Sequence, residues 1–308
     1  MIHITDPADS LSYTGLENPA SMIIDIHPHV ISTDTVRYPN APVGGHKSDW
    51  SRQRPVSVEQ MIAAMDQAGI AKSALVQAST CYGHDNSYVV DAVAAHSDRF
   101  TGVFSIDPLA SDAPEKIRHW VGRKLTGMRL FTAGSTTSQL DWVDDPRSFP
   151  AWNCAGEVGI PVCMQMTVKA IPQLTNMLKR FPQVRVILDH LAKPSLSDGP
   201  PYASAADVFA LAQYQNLFLK LTPRTVAEAQ TGNATPGTFF PLLVEKFGAE
   251  RIAWGSNFPA SEGALPELLH VTQEALSVLP AEDRDWIFSK TALTLYPALA
   301  EKKERADA

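Results

Sequence analysis

The segment Met22-Ile23-Ile24-Asp25-Ile26-His27-Pro28-His29 has the form of a buried strand that ends in two histidines. Side chains two positions apart on a strand point to the same face. We therefore expect His27 and His29 to face one space at the carboxyl end of the strand, with Asp25 below them. Paired imidazoles in such a place can bind a metal ion or polarise a carbonyl group. The alternative is that both are ordinary polar residues at the mouth of a loop.

Short apolar runs and amphipathic helical patterns alternate along most of the chain that follows. This strand–helix alternation, repeated eight times, predicts an α/β fold of the (β/α)8 or TIM-barrel type in a single domain. A doubly wound open sheet is the alternative, but it normally has fewer strands, and no glycine-rich phosphate loop follows the first strand. The predicted strands are Met22–His27, Ser73–Gln77, Thr101–Ile106, Gly127–Leu130, Pro161–Gln165, Arg185–Leu188, Leu217–Leu221 and Ile252–Gly255. The predicted helices include Val58–Gln67, Tyr88–His96, Ala113–Val121, Ala170–Arg180, Ala205–Gln213 and Thr238–Phe247.

Four stretches depart from this alternation. Residues 1–21 are predicted to be an N-terminal extension, residues 22–300 the barrel, and residues 301–308 a charged, frayed tail. The segment Val30–Val56 directly follows the two histidines and is rich in Pro, Gly and Arg, so we expect a lid over the site. The segment Pro280–Leu299 is predicted to form a last helix that packs on the outside of the barrel.

Composition limits the classes of partner. The 308 residues carry a net charge of −7 and no basic block, which argues against nucleic-acid and membrane-surface partners. Three cysteines without metal-binding spacing (Cys81, Cys154 and Cys163) favour a reducing compartment. The N-terminal segment has no apolar core of a signal peptide, and no apolar run approaches the roughly 20 residues that cross a bilayer. We therefore expect a cytoplasmic protein with a small-molecule partner, and a homodimer is the commonest oligomeric arrangement.

Polar side chains follow several of the predicted strands, and in a parallel barrel all these strand ends meet at one face. The cations among them are Arg129, Lys193, Lys220 and Arg224. Because arginine matches carboxylate geometry with two parallel hydrogen bonds, these residues predict a substrate that carries one or more carboxylates. The alternative is that some of these cations form structural ion pairs with Asp25 or Asp189.

Short motifs spread in order from about residue 22 to about residue 260 resemble the amidohydrolase superfamily (the amidohydrolase-2 type). The branch concerned contains 2-pyrone-4,6-dicarboxylate lactonase and the sugar-lactone hydrolases. The matching motifs are Ile24-Asp25-Ile26-His27-Pro28-His29, Val76-Gln77-Ala78-Ser79 with Tyr82-Gly83 and Asp85-Asn86, Phe104-Ser105-Ile106-Asp107-Pro108, Gly127-Met128-Arg129-Leu130, Leu188-Asp189-His190-Leu191-Ala192-Lys193-Pro194, Leu219-Lys220-Leu221-Thr222 and Trp254-Gly255-Ser256-Asn257-Phe258-Pro259.

This resemblance implies a (β/α)8 barrel that hydrolyses a lactone, ester or amide or, in sister families, decarboxylates an aromatic or unsaturated acid. It implies that His27 and His29 are the paired histidines of the first strand and that His190 polarises the scissile carbonyl. It also implies that Arg129 holds a substrate carboxylate and that the loop after the second strand contacts substrate. The expected substrate-binding residues are thus Ser79, Tyr82, Asn86, Arg129, Gln165 and, as a weaker candidate, Arg224.

The chain departs from the family pattern at two positions. The last strand of relatives usually ends in Gly-Ser/Thr-Asp, whose Asp serves as metal ligand or general base, and here this position is Asn257. Metal-dependent relatives also have a histidine near the end of the fifth strand, where this chain has Met164-Gln165-Met166. Since an amide is a poor metal ligand and takes no proton at neutral pH, we expect no tightly bound cofactor. If one divalent metal such as zinc binds, its ligands are His27 and His29.

The expected activity is hydrolytic opening of a small carboxylate-bearing lactone, ester or cyclic amide, with His27, His29, His190 and Asn257 as the catalytic group. Asn257 would orient water or substrate, and His190, His27 or Asp25 would replace the missing base. Two alternatives for Asn257 stay open: it is an inactivating substitution, or the barrel binds a small acid without catalysis. A further alternative is a metal-dependent decarboxylase or hydratase of an unsaturated or aromatic acid.

Overall fold

A single parallel sheet of eight strands forms the centre of the protein in the computed structural model, which describes residues 22–132 and 142–300. Neighbouring strands pair in chain order from β1 to β8. Ile26 N donates to Trp254 O at 3.2 Å, which joins the last strand to the first. The predicted (β/α)8 barrel is therefore confirmed. The strands are β1 Ile23–Asp25, β2 Ile70–Val76, β3 Phe100–Ser105, β4 Gly127–Phe131, β5 Val162–Gln165, β6 Val186–Asp189, β7 Leu217–Leu221 and β8 Ile252–Trp254.

Helices occupy the connections between the strands and follow the last one. They are α1 Asp49–Gln53, α2 Val58–Ala68, α3 Ser79–Tyr82, α4 Ser87–Ala95, α5 Ala113–Gly122, α6 Phe149–Val158, α7 Ile171–Arg180, α8 Ala206–Ala210, α9 Pro223–Glu228, α10 Pro236–Phe247, α11 Leu265–Ala275, α12 Ala281–Asp285 and α13 Thr291–Leu295. The ends of α2 show how the sequence sets a helix boundary. Ser57 and Gln60 form a reciprocal capping box at its start, and Gly69 adopts a left-handed conformation at its end.

Apolar side chains are buried on both sides of the sheet. A larger cluster fills the space between the strands and the helices. A smaller, separate cluster collects alternate side chains of seven strands, such as Ala74 and Val76 of β2, together with Leu295 and Tyr296 near the C-terminus. Burial on both faces explains why the strands of this parallel sheet are nearly continuous apolar runs.

The predicted elements agree with the structure to within a few residues, with three differences. Strand β1 ends at Asp25, so His27 and His29 follow the strand instead of lying on it. The predicted lid segment contains the short helix α1, and the predicted last helix is α12 and α13 joined by a π-helical turn, Trp286–Lys290. The predicted extension 1–21 and tail 301–308 lie outside the described residues. In the described parts of the chain, no helix is both long and apolar enough to span a bilayer.

Arg251 joins three chain segments at the entrance to β8. Its guanidinium donates to the carbonyl oxygens of Phe247, Ala212 and Tyr214 at 2.6–3.0 Å. Because the substitution Arg251→Ala leaves these buried and part-buried carbonyls without the guanidinium donor, we expect it to lower the free energy of unfolding by about 2–4 kcal/mol. Urea titration followed by circular dichroism measures the change. Arg123→Ala, at an exposed residue after α5, is the control and should change stability by less than about 0.5 kcal/mol. Equal losses in the two variants would contradict the assignment.

Candidate active site

A cavity of about 290 Å³ opens at the carboxyl end of the barrel, where active sites of this fold lie. Its walls come from the ends of several strands and the loops that follow them. Most of the residues expected at the site do line this cavity: Ser79, Arg129, Gln165, His190, Arg224 and Asn257, together with His29. Trp50 also lines it and lies against His29, with ring centroids 5.1 Å apart. The segment after β1 thus contributes directly to the site.

His27 lies behind the cavity wall instead of in it. It is fully buried, and its ring centroid lies 5.1 Å from the rings of both His29 and His190. Neither of its ring nitrogens has a hydrogen-bond partner among the described residues. The backbone after β8 approaches it so closely that a Cβ on Gly255 would lie 2.5 Å from the His27 Cβ. Glycine at position 255 therefore allows the two strand ends to meet.

Hydrogen bonds orient the two histidines that face the cavity. His29 Nδ1 lies 2.8 Å from the carbonyl oxygen of Val76, which can only accept, so Nδ1 carries the proton and Nε2 of the neutral ring is an acceptor. His190 Nδ1 lies 2.9 Å from the hydroxyl of Thr222. Burial, assisted by the charge of Arg129, lowers the pKa of His29 to about 3. Burial also lowers the pKa of His190 to about 3, so both rings are neutral near pH 7.

A buried group of three charges adjoins the cavity, and one of its members, Arg129, lines it. Asp189 Oδ2 accepts from Arg129 Nε at 2.8 Å, and Asp189 Oδ1 lies 2.8 Å from Lys220 Nζ. Burial alone would raise the pKa of Asp189, but the charges of Lys220 and Arg129 outweigh it and lower that pKa below its usual range. Burial and the same two cations hold the pKa of His27 well below its usual value. One alternative from the sequence is thus correct for Arg129 and Lys220, which form a structural ion pair with Asp189.

Asp25 links the end of β1 to the end of β8. Its Oδ1 accepts hydrogen bonds from the backbone nitrogens of His27 and Ser256, both at 2.9 Å. Burial raises the pKa of this carboxyl to about 6. Asp25 does not line the cavity, so it holds the backbone of the site without facing a ligand there.

Left-handed backbone places two of the site residues. His190, Leu191, Ala192 and Lys193 have φ values of 53° to 58°, and Lys193 N donates to His190 O at 2.9 Å. This single left-handed turn brings His190 and Lys193 to the same cavity. Asn257 is also left-handed, with φ of 54°, and its Nδ2 donates to Ser261 Oγ at 3.1 Å. Such backbone is unfavourable for residues other than glycine and concentrates at functional sites.

Tyr82 and Asn86 were expected to bind substrate, but neither lines the cavity. The Tyr82 hydroxyl accepts from Ser32 N at 2.7 Å, which fixes the segment after β1. The Asn86 side chain donates to Ser105 O at 3.0 Å and accepts from Ser105 N at 2.8 Å, which ties its loop to the end of β3. Backbone groups thus occupy their polar atoms. Ser79 does line the cavity, and its hydroxyl has no partner in the described chain.

The amidohydrolase family matches residues 24–298, which is most of the chain. The chain belongs to the amidohydrolase family. It is therefore an enzyme of the hydrolase class, as the sequence motifs indicated.

Three relatives illustrate the similarity. L-fucono-1,5-lactonase from Burkholderia ambifaria is 27% identical over 209 residues, which cover 67% of this chain and 70% of the relative. A Pseudomonas putida protein provisionally named 2-pyrone-4,6-dicarboxylic acid hydrolase superposes with a TM-score of 0.74 at 20% identity, over 91% of this chain and 99% of that one. An amidohydrolase from Burkholderia multivorans with bound zinc gives 0.72 at 19% identity, over 90% and 99%. The two structural similarities establish the shared barrel.

The amidohydrolase structure from Burkholderia multivorans contains zinc, and a zinc centre needs several His, Cys, Asp or Glu side chains close together. Within residues 22–132 and 142–300, no group of three or more His, Cys, Asp or Glu is arranged to hold a metal ion. Asn257 provides an amide where a carboxylate would be needed. The donors present do not fit a resident metal centre, and we derive no step through one. The expected absence of a cofactor stays a prediction.

The buried histidines predict how stability depends on pH. The folded state lowers the pKa of His29 to about 3. Below about pH 6.5 this histidine therefore binds a proton in the unfolded chain but not in the folded one, so stability falls as the pH drops. The substitution His29→Asn removes this titration and keeps a donor for Val76 O. We expect the unfolding free energy of this variant to fall less steeply between pH 6.5 and 4 than that of the wild type. The two slopes should differ by about 1.4 kcal/mol per pH unit.

Urea titrations at several pH values measure this slope. The raised pKa of Asp25, about 6, works in the opposite direction, because it favours the folded state as the pH drops from 6 to 4. Asp25 is present in both proteins, so its contribution cancels in the comparison. The control is His119→Asn, at an exposed residue of α5, and it should keep the wild-type slope. Parallel profiles for the wild type and His29→Asn would contradict the prediction.

Proposed function

We propose that this hydrolase opens a small lactone or ester that bears a carboxylate, with cyclic amides as related substrates. The observation that carries the proposal is the convergence of two neutral histidines, Asn257 and cationic side chains on one cavity of a protein with net charge −7. The cavity volume of about 290 Å³ suits a small molecule. Similarity to L-fucono-1,5-lactonase supports a lactone as the substrate class.

His190 is the proposed donor to the reacting carbonyl oxygen. When the Thr222 hydroxyl donates to Nδ1, the proton of the neutral ring lies on Nε2. From there it can donate to the carbonyl oxygen, which becomes negatively charged as water attacks. The buried Arg129, which lines the cavity, and Lys220, which shares Asp189 with it, add positive potential that favours this charge.

His29 and Asn257 are the proposed partners of the attacking water. Of the groups expected to replace the family's carboxylate, His27 and Asp25 do not line the cavity. The unprotonated Nε2 of His29 can accept a proton from water, while the Asn257 carbonyl accepts its second hydrogen. The water oxygen bonds to the carbonyl carbon, the ring C–O bond breaks, and the His29 imidazolium returns the proton to the leaving alkoxide.

The remaining cavity residues would fix the substrate pose. Ser79 and Gln165 offer hydrogen bonds, and the nitrogens of Arg129 that do not contact Asp189 can reach an anionic group. Positioning of this kind accelerates a reaction because it holds the reacting groups at the right distance and orientation. Cytoplasmic location and a homodimeric state stay predictions.

The decarboxylase alternative rests on fold similarity alone. A 2,6-dihydroxybenzoate decarboxylase superposes with a TM-score of 0.63 at 14% identity, over 90% of this chain and 99% of that one. A metal-dependent mechanism needs ligands that the described residues do not supply. No contact in the site favours this activity over hydrolysis.

Hydrolysis of a panel of lactones and esters, with and without a carboxylate, tests the proposal in a pH-indicator assay. We expect turnover of carboxylated lactones in the presence of EDTA. His190→Asn should lower kcat about 100-fold or more because it removes the donor to the developing oxyanion. The exposed His119→Asn variant serves as the matched control and should keep full activity. If neither the wild type nor Asn257→Asp hydrolyses any member of the panel, the proposed function is wrong.

A further inference from the structure

A second cavity of about 160 Å³ lies beside the main one, and we call it the side chamber. Three residues, His190, Lys193 and Arg224, line both cavities. The walls that belong to the side chamber alone are Pro194, Ser195, Leu196, Thr225 and Glu228. Lys193 and Arg224 therefore lie at the boundary between the two cavities.

Both boundary residues are cations that have no partner among the described residues. Within residues 22–132 and 142–300, neither the Lys193 ammonium nor the Arg224 guanidinium forms an ion pair or a hydrogen bond. Arg129, the expected carboxylate anchor, donates instead to Asp189. Burial, followed by the charge of Arg224, lowers the pKa of Lys193, which is half-buried, whereas Arg224 is exposed. Both side chains line the same two cavities, so an anion between them would offset the repulsion between their charges.

Thr225 provides an independent indication of a ligand. Its side chain is only 4% exposed and lines the side chamber, yet its hydroxyl has no hydrogen-bond partner in the described part of the chain. A buried hydroxyl without a partner is unfavourable unless a ligand or water completes its hydrogen bonds. Glu228 also lines the side chamber, and its negative charge partly balances the two cations. Its Oε1 accepts from Leu196 N at 3.2 Å, which holds this side chain against the loop backbone.

We propose that the side chamber binds a terminal carboxylate on an arm of the substrate, held by Lys193, Arg224 and Thr225. The scissile carbonyl would lie at His190, one of the three wall residues that the two cavities share. This subsite rests on the proposed function, since it names the part of the substrate that the hydrolase recognises. It assigns Lys193 and Thr225 as specificity residues and moves Arg224 from a weak candidate to a principal contact.

The chemistry of the walls favours a carboxylate over a phosphoryl group. A planar carboxylate matches the fork of a guanidinium and leaves an oxygen for an ammonium or a hydroxyl donor. One unit of negative charge balances the local excess, because Lys193 and Arg224 already face Glu228. A phosphate dianion would bring additional repulsion from that carboxylate. Inorganic phosphate is therefore a discriminating probe.

Binding of glutarate, which carries a carboxylate at each end, tests the subsite by calorimetry without turnover. Glutaramide is the neutral ligand of the same shape, and it should bind at least about tenfold more weakly. Lys193→Met and Arg224→Gln should each raise the Kd of glutarate about tenfold or more. Thr225→Val, which alters the side chamber alone, should raise it about threefold to tenfold. Lys179→Met, at an exposed lysine of α7, is the matched control and should leave the Kd unchanged.

Each outcome bears on the proposal. An unchanged glutarate Kd in both Lys193→Met and Thr225→Val, with wild-type thermal unfolding midpoints, would overturn it. Phosphate that binds more tightly than glutarate and depends on the same residues would replace the carboxylate with a phosphoryl group and also overturn it. Loss of glutarate binding in the side-chamber variants, with midpoints and glutaramide binding retained, would support it.

Failure of the subsite and failure of the proposed function are separable. With a hydrolysed substrate, Lys193→Met should raise KM about tenfold and change kcat little, because the contact is the same in the ground and transition states. If the panel is hydrolysed and KM is unchanged, the subsite alone is wrong. If nothing is hydrolysed while glutarate binding still depends on Lys193 and Thr225, the proposed function is wrong and the anion subsite stands.

Discussion

Asp189 holds two cations in the interior of the barrel, one from β4 and one from β7. Its carboxylate oxygens each lie 2.8 Å from a nitrogen, of Arg129 on one side and of Lys220 on the other. All three side chains are almost completely buried, so either cation without the carboxylate would be an uncompensated charge. His190 follows Asp189 directly in the chain, so the position of the proposed carbonyl donor depends on this ion pair.

The same three charges set the electrostatic character of the cavity. Two cations and one carboxylate leave an excess of positive charge beside the histidines. Burial first, and this charge second, lower the pKa of His27 and His29 and keep both imidazoles neutral. Neutral rings can each act as donor or acceptor according to the hydrogen bond at Nδ1. The local excess would also allow a protein with net charge −7 to attract the proposed anionic substrate to one mouth of its barrel.

Much of this architecture was predictable, because apolar strands and amphipathic helices alternate in a pattern that only a few folds satisfy. The convergence of His29, His190 and Asn257 followed from the geometry of a parallel barrel. Contacts that depend on individual loops did not follow. The alternation rule stops applying where β1 ends at Asp25, which is why His27 lies behind the wall. The occupied polar atoms of Tyr82 and Asn86, and the choice of Asp189 as the partner of Arg129, depend on three-dimensional distances that no spacing encodes.

The turn from His190 to Lys193 has a bearing on how the protein assembles. Four successive residues with side chains adopt a backbone hand that an isolated peptide of this composition disfavours, and none of them is glycine. The turn has one internal hydrogen bond, from Lys193 N to His190 O, so we expect the paired strands β6 and β7 to hold most of its shape. A barrel in which these two strands had not paired would therefore have neither His190 nor Lys193 in place.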